Sequence, residues 1–295
     1  MITKEEIKNN INTEWNISLD FQKESRYGLC KFIVDISQKI NLSYETASLA
    51  MLITNYFFIK NCYFNYNKLT MACASLLLSS KNETSQSKFN DICKEYSIIQ
   101  NKGIGTEGLH KIKEHIGKYE IILLKQLNYN VPEEFPYDLI YVYSELLYPD
   151  NEQEISNLGI KIANDSYFTY ANNIYKNYVV ALACIVIAAK FLDIPTILDE
   201  NFKYIVNMKK IYKRNISVEE FNKALNQYDN QAMLRIKDNI EEEDILGCED
   251  YFEKLPLAQK LYPSLKMEEL LDCVIMIIEF YEDMNEKSNI KMNGI

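Results

Sequence analysis

Apolar positions along this chain recur with the period of an α-helix almost everywhere. Between Leu69 and Leu77 the apolar or small residues Leu69, Ala72, Cys73, Leu76 and Leu77 stand at i, i+3, i+4, i+7 and i+8. That spacing marks one buried helix face. Tyr178 to Leu192 (YVVALACIVIAAKFL) is apolar on all sides but too short to cross a bilayer, and so predicts a central helix surrounded by others. Ile112 to Leu127 predicts another helix, ended by Pro132 and Pro136. Further helices are predicted at 24–40, 44–61, 86–98, 137–147, 154–169 and 266–284, while alternating strand patterns are nearly absent. The predicted fold class is all-α.

One pattern occurs twice. ASLLLSSK (Ala74–Lys81) and ACIVIAAK (Ala183–Lys190) superimpose at an offset of 109 residues, as a small pair, three aliphatics, two small residues and a lysine. Small residues at that point let neighbouring helices approach closely, and comparable helices flank each copy. The echo predicts two tandem five-helix units, each built around one such helix. Asn201 to about Lys254, which includes EEED at Glu241–Asp244, is polar and reads as an insertion in the second unit.

Composition narrows the function. The chain has 295 residues with only 8 Gly and 6 Pro, which favours long helices, and its length suits one large domain or two small ones. Net charge is −10, which argues against a nucleic-acid-binding role, since phosphates are neutralised by Lys and Arg patches. The seven cysteines are scattered without a CxxC pair, which fits a reducing compartment. His110 and His115 have no third ligand nearby in sequence, so no metal or other cofactor is expected. The first residues, MITKEEIKNN, lack the apolar core of a secretory signal, and no run predicts a membrane span. No Gly-rich phosphate loop or nucleophile with an adjacent base is visible, so an enzyme is not expected.

Several ordered blocks resemble the cyclin family. ESRYGLCKFIVDISQKINLSYETASLAMLITNYFF is similar to the first two helices of a cyclin box, with Arg26 at the family's arginine and Phe32 at its usual tryptophan. KLTMACASLLLSSKNET is similar to the third helix with its Lys-x-Glu ending, and GKYEIILLKQLNYNV to the fifth, where Glu120 occupies the family's glutamate. NDSYFTYANNIYKNYVVALACIVIAAKFL resembles the second repeat of the transcription-associated cyclins C, H, K, L and T, and LKMEELLDCVIMIIEFYEDM their closing helix. The implied division is an N-terminal extension (1–23), a first cyclin box (24–132), and a second repeat (133–295) with the insertion at about 201–254 and the closing helix 266–284, expected to pack on that repeat.

The resemblance implies a non-catalytic subunit that binds a cyclin-dependent kinase as a heterodimer and positions its αC helix. Lys81 and Glu120 match the family's clamp on the partner's backbone, Glu83 lies beside it, and Leu78, Leu124 and Tyr129 fall on the apolar patch, where Asn82 replaces the usual phenylalanine or valine. Other readings of these residues remain open: Lys81 with Glu83 as a solvated helix end, Glu120 as an exposed helix residue, Tyr129 as core. Arg26 is expected to make a structural contact within the first box. Asn55-Tyr56 replaces the family's acidic or His-Arg pair, which leaves Arg26 without its usual partner. Ser25-Arg26-Tyr27-Gly28-Leu29 departs from the Met-Arg-Ala-Ile-Leu docking sequence of cell-cycle cyclins, and no destruction box appears in the first twenty residues. The implied activity is of the transcription or RNA-processing type, with a nuclear location that is also compatible with the cytoplasm. A cyclin-fold scaffold without kinase activation, and a transcription factor IIB-like protein, are the competing readings.

Overall fold

A computed structural model describes residues 2–81, 88–100, 106–131, 134–194, 196 and 265–292, with side chains beyond residue 285 and at 106 and 267 left aside. The described residues are α-helical, without a strand. Two short helices, α1 (Lys4–Lys8) and α2 (Ile11–Glu14), precede α3 (Leu19–Lys39), α4 (Tyr44–Lys60), α5 (Lys68–Ser80), α6 (Lys88–Ile99) and α7 (Thr106–Gln126). The second half contains α8 (Tyr137–Leu147), α9 (Glu152–Ser166), α10 (Ala171–Ile174), α11 (Asn177–Phe191) and α12 (Met267–Met292). The polar stretch at 201–254 lies outside the described residues.

Each half is built around the helix that the echo singled out. α5 packs against α3, α4, α6 and α7, and α11 against α8, α9 and α12, so the closing helix lies on the second repeat. Ser75 and Ser79 are buried in α5, where the small side chains let α4 come close, and Thr54 Oγ1 of α4 donates to Ser75 Oγ at 2.9 Å. In the second half Gly159 of α9 does the same for α8. A Cβ there would stand 3.1 Å from Ile140 Cγ2.

Polar caps set the helix ends. Asn67, Ser43 and Ser18 accept from the backbone N–H groups of Thr70, Thr46 and Phe21, so α3 begins at Leu19, five residues before the expected start. At the other ends, Asn16, Asn41, Asn128 and Asp193 adopt the left-handed conformation usually given to glycine. After α7, the Tyr129 N–H donates to Leu124 O and the Asn128 N–H to Lys125 O, and α3 and α11 close with the same paired bonds. Asn and Asp accept this conformation at little cost, which explains sharp helix ends in a chain with so few glycines.

The two repeats are joined by a polar seam centred on residues 167–170. The Asn55 Nδ2 donates to Tyr167 O at 2.9 Å and to Thr169 O at 3.2 Å. The Arg26 Nε donates to Phe168 O at 2.9 Å, and its guanidinium lies over the Tyr170 ring, 4.2 Å from the centroid. Arg26 therefore bridges the repeats, a correction to the expected contact within the first box. With Asn55 uncharged, the arginine satisfies a backbone carbonyl across the seam. The Cys30 thiol, pushed up to about 12 by burial, stays protonated and shares its one hydrogen between Asn55 Oδ1 and Tyr167 O, 3.7 and 3.6 Å from the sulfur.

The Asn-Asp-Ser sequence that suggested the second repeat is part of this framework. Asn164 Oδ1 accepts from Tyr137 OH, which also bonds Ser48 of α4. Asp165 accepts from Tyr281 of α12, and Ser166 accepts from Asn172 Nδ2. The N-terminal segment ties in as well. The Ile2 N–H donates to Asn173 O, Lys4 pairs with Asp272, and buried Asn12 donates to Phe58 O and accepts from the Tyr63 N–H.

Candidate functional site

Lys81 follows the last turn of α5, where its cation complements the helix C-terminus, and its side chain is 58% exposed. Glu120 lies on α7 between the fully buried Ile116 and Leu123. Only 8% of Glu120 is exposed, which corrects its alternative reading as an exposed helix residue. Lys81 Nζ stands 2.5 Å from Glu120 Oε1, so two helices bring together charges that are 39 positions apart in sequence. Oε1 is enclosed, and the Lys81 ammonium is its partner. A carboxylate so placed is tolerated because the ammonium is beside it, while the lysine remains open to a partner.

Leu78, on the same end of α5, is 6% exposed, and Leu124 is half-buried on α7. Tyr129 is 69% exposed and has φ of 61°, held by its N–H bond to Leu124 O. That backbone turns the ring away from the core, which rules against the core reading. Sequence reasoning missed Ile121, which is 53% exposed and one turn before Leu124. Its signal was an aliphatic residue outside the core period, three positions before Leu124. Asn82 and Glu83 lie outside the described residues. Arg26 and Asn55 belong to the seam between the repeats. The resulting face carries a buried acid, an accessible cation and an apolar margin, a combination that can orient a helix of another chain.

Among the described residues no group of three or more His, Cys, Asp or Glu is placed to hold a metal, and no helix is long and apolar enough to cross a membrane.

Residues 1–132 match the family model for the cyclin N-terminal domain. Human cyclin-K is 24% identical over 177 residues, covering 58% of this chain and 30% of cyclin-K. Cyclin-T1-4 of Arabidopsis thaliana is 26% identical over 188 residues, covering 60% of this chain and 34% of that protein. The matches thus span about a third of the length of these curated relatives. Among solved structures, a chain of the yeast RNA Pol II CTD kinase CTDK-1 complex superposes with a TM-score of 0.58 at 20% identity, covering 66% of this chain and 64% of that one. At that identity the likeness shows the fold, and the fold is all-α with two repeats.

Proposed function

We propose that this chain, whose residues 1–132 match the cyclin N-terminal domain, is the non-catalytic subunit of a heterodimer with a cyclin-dependent protein kinase. The observation that carries this reading is the Lys81–Glu120 pair, held by α5 and α7, the helices that also carry Leu78 and Leu124, with Tyr129 just past the end of α7. An ammonium and a carboxylate can satisfy opposite ends of a partner's backbone. A desolvated apolar centre supplies most of the affinity, and the charges fix register. Moving the kinase αC helix inward lets its glutamate pair with the catalytic lysine, which turns binding into activation.

The likeness to cyclins K and T, and to a chain of a CTD kinase complex, favours a transcription or RNA-processing kinase and a nuclear location. Asn55, one of the departures that left room for a non-activating scaffold, is spent on the seam between the repeats and does not face a partner. Glu83 and Asn82 are assigned to the same face by resemblance.

The test uses the tagged full chain in native extract, with the captured kinase identified by mass spectrometry and assayed with and without the chain. Lys81→Ala with Glu120→Ala should weaken co-purification at least about tenfold, since truncating close charge pairs at interfaces costs roughly 2–5 kcal/mol, with helical content unchanged. Undiminished capture by the double variant would refute the clamp. Capture without stimulated activity would favour the scaffold.

A further inference from the structure

A large concavity lies elsewhere, in the groove between the two repeats. Its volume is about 1250 Å³, and it is open to solvent. That exceeds the roughly 300–1,000 Å³ of a small-molecule pocket, and its shape suits a length of polypeptide. None of Lys81, Glu120, Leu78, Leu124 or Tyr129 lines it.

Its chemistry has three parts. Leu52 and Ile53 of α4, with Leu127, Val131 and Phe135, give an apolar wall. Glu45, Glu134 and Asp138 line it as exposed carboxylates, against one lysine, Lys176. Toward α11 the lining includes Asn173, 6% exposed, whose Nδ2 is spent on Leu52 O at 3.1 Å and whose Oδ1 has no partner. Asn172 Oδ1 and the Tyr175 hydroxyl, both also lining the groove, are enclosed and unpartnered as well. These atoms are enclosed, so recognition in the groove falls to the apolar wall and the carboxylates.

We infer that the groove between the repeats binds an extended segment of a partner protein in which basic and aliphatic side chains alternate. In an extended chain successive side chains point to opposite sides, so aliphatic residues meet the apolar wall while Lys or Arg residues reach the three carboxylates. The charge balance of the lining selects a basic segment over an acidic one. This inference does not depend on the kinase-binding reading.

The probe is a fluorescein-labelled octapeptide of alternating Arg and Leu, titrated with the full chain and followed by fluorescence anisotropy at physiological salt. Glu134→Lys with Asp138→Lys should weaken binding at least tenfold. The control, Glu107→Lys with Glu114→Lys, makes the same change in net charge at exposed positions on α7 and should leave binding within about twofold. Equal loss in both variants would show unspecific attraction to an acidic protein and overturn the inference, as would no loss in either. The peptide with Glu in place of Arg should not bind; equal binding would also overturn it. Lys81→Ala with Glu120→Ala should leave the peptide bound, whereas loss there would place the peptide on the other face and refute the groove.

Discussion

Replacing Asn55 by alanine should loosen the joint between the two repeats. The side chain is 3% exposed and makes two donor bonds to carbonyls of the second repeat, at 2.9 and 3.2 Å, while accepting from the Cys30 thiol. Truncation leaves Thr169 O without its side-chain donor and Tyr167 O with only the weak thiol contact at 3.6 Å. A buried acceptor left unsatisfied costs about 1–3 kcal/mol. With one acceptor fully and one partly orphaned, Asn55→Ala should cost about 2–4 kcal/mol. At about 2–4 °C per kcal/mol for a domain of this class, the thermal midpoint should fall by roughly 5–15 °C. Circular dichroism melting measures it. Arg26→Ala should couple to Asn55→Ala, because both side chains hold the same turn. A loss under about 0.5 kcal/mol for Asn55→Ala, the range of ordinary surface changes, would refute the seam as a determinant of stability.

Two further changes test the framework in the opposite direction. Burial raises the carboxyl pKa of Asp165, with the Tyr281 hydroxyl bond only partly opposing the shift. A raised folded-state value means that its contribution favours folding below the unfolded pKa of about 3.9 and is lost as pH rises through the folded value. Asp165→Asn keeps an oxygen for Tyr281 and should therefore melt higher than the parent at pH 7, with the advantage shrinking toward pH 4; an advantage independent of pH would contradict the burial argument. Gly28 lies mid-helix in α3, exposed, with nothing within 4 Å of a Cβ built on it. Gly28→Ala should stabilise by about 0.5–1 kcal/mol in urea unfolding, and a loss of stability would show a contact that the helix surface does not have.

The helices were legible because their signals are local. α4, α8 and α11 end within about two residues of expectation, since an apolar run, a serine cap or Pro136 marks each boundary. The start of α3 was missed because Leu19 and Phe21 are followed by polar residues that hide the period, although Ser18 caps the helix. The helix ends at Asn41, Asn128 and Asp193 were not legible, because a sequence reader looks for glycine there. Arg26 was placed in the wrong contact for a different reason. A charged residue announces that it needs a partner, but not that the partner is a carbonyl 142 residues away. The Lys81–Glu120 pair came from resemblance alone, since nothing in either stretch specifies the crossing of α5 and α7 that joins them.

The same crossing explains why two similarly patterned stretches differ in consequence. Lys81 and Lys190 end matching helices, and each helix is the buried centre of its repeat. What distinguishes them is the helix laid across the end. In the first repeat α7 brings a carboxylate between Ile116 and Leu123, so that Glu120 is enclosed and its charge is answered by a lysine still open to solvent. In the second repeat α12 brings Tyr281, which lies edge-on to Phe191 at 6.3 Å and spends its hydroxyl on Asp165. That contact closes an aromatic corner inside the repeat. A buried acid paired with an exposed cation leaves hydrogen-bonding capacity directed outward, whereas an aromatic pair leaves little. The proposed partner binding on the first repeat would therefore depend on the fifth helix of the unit more than on the lysine-bearing helix that both units share.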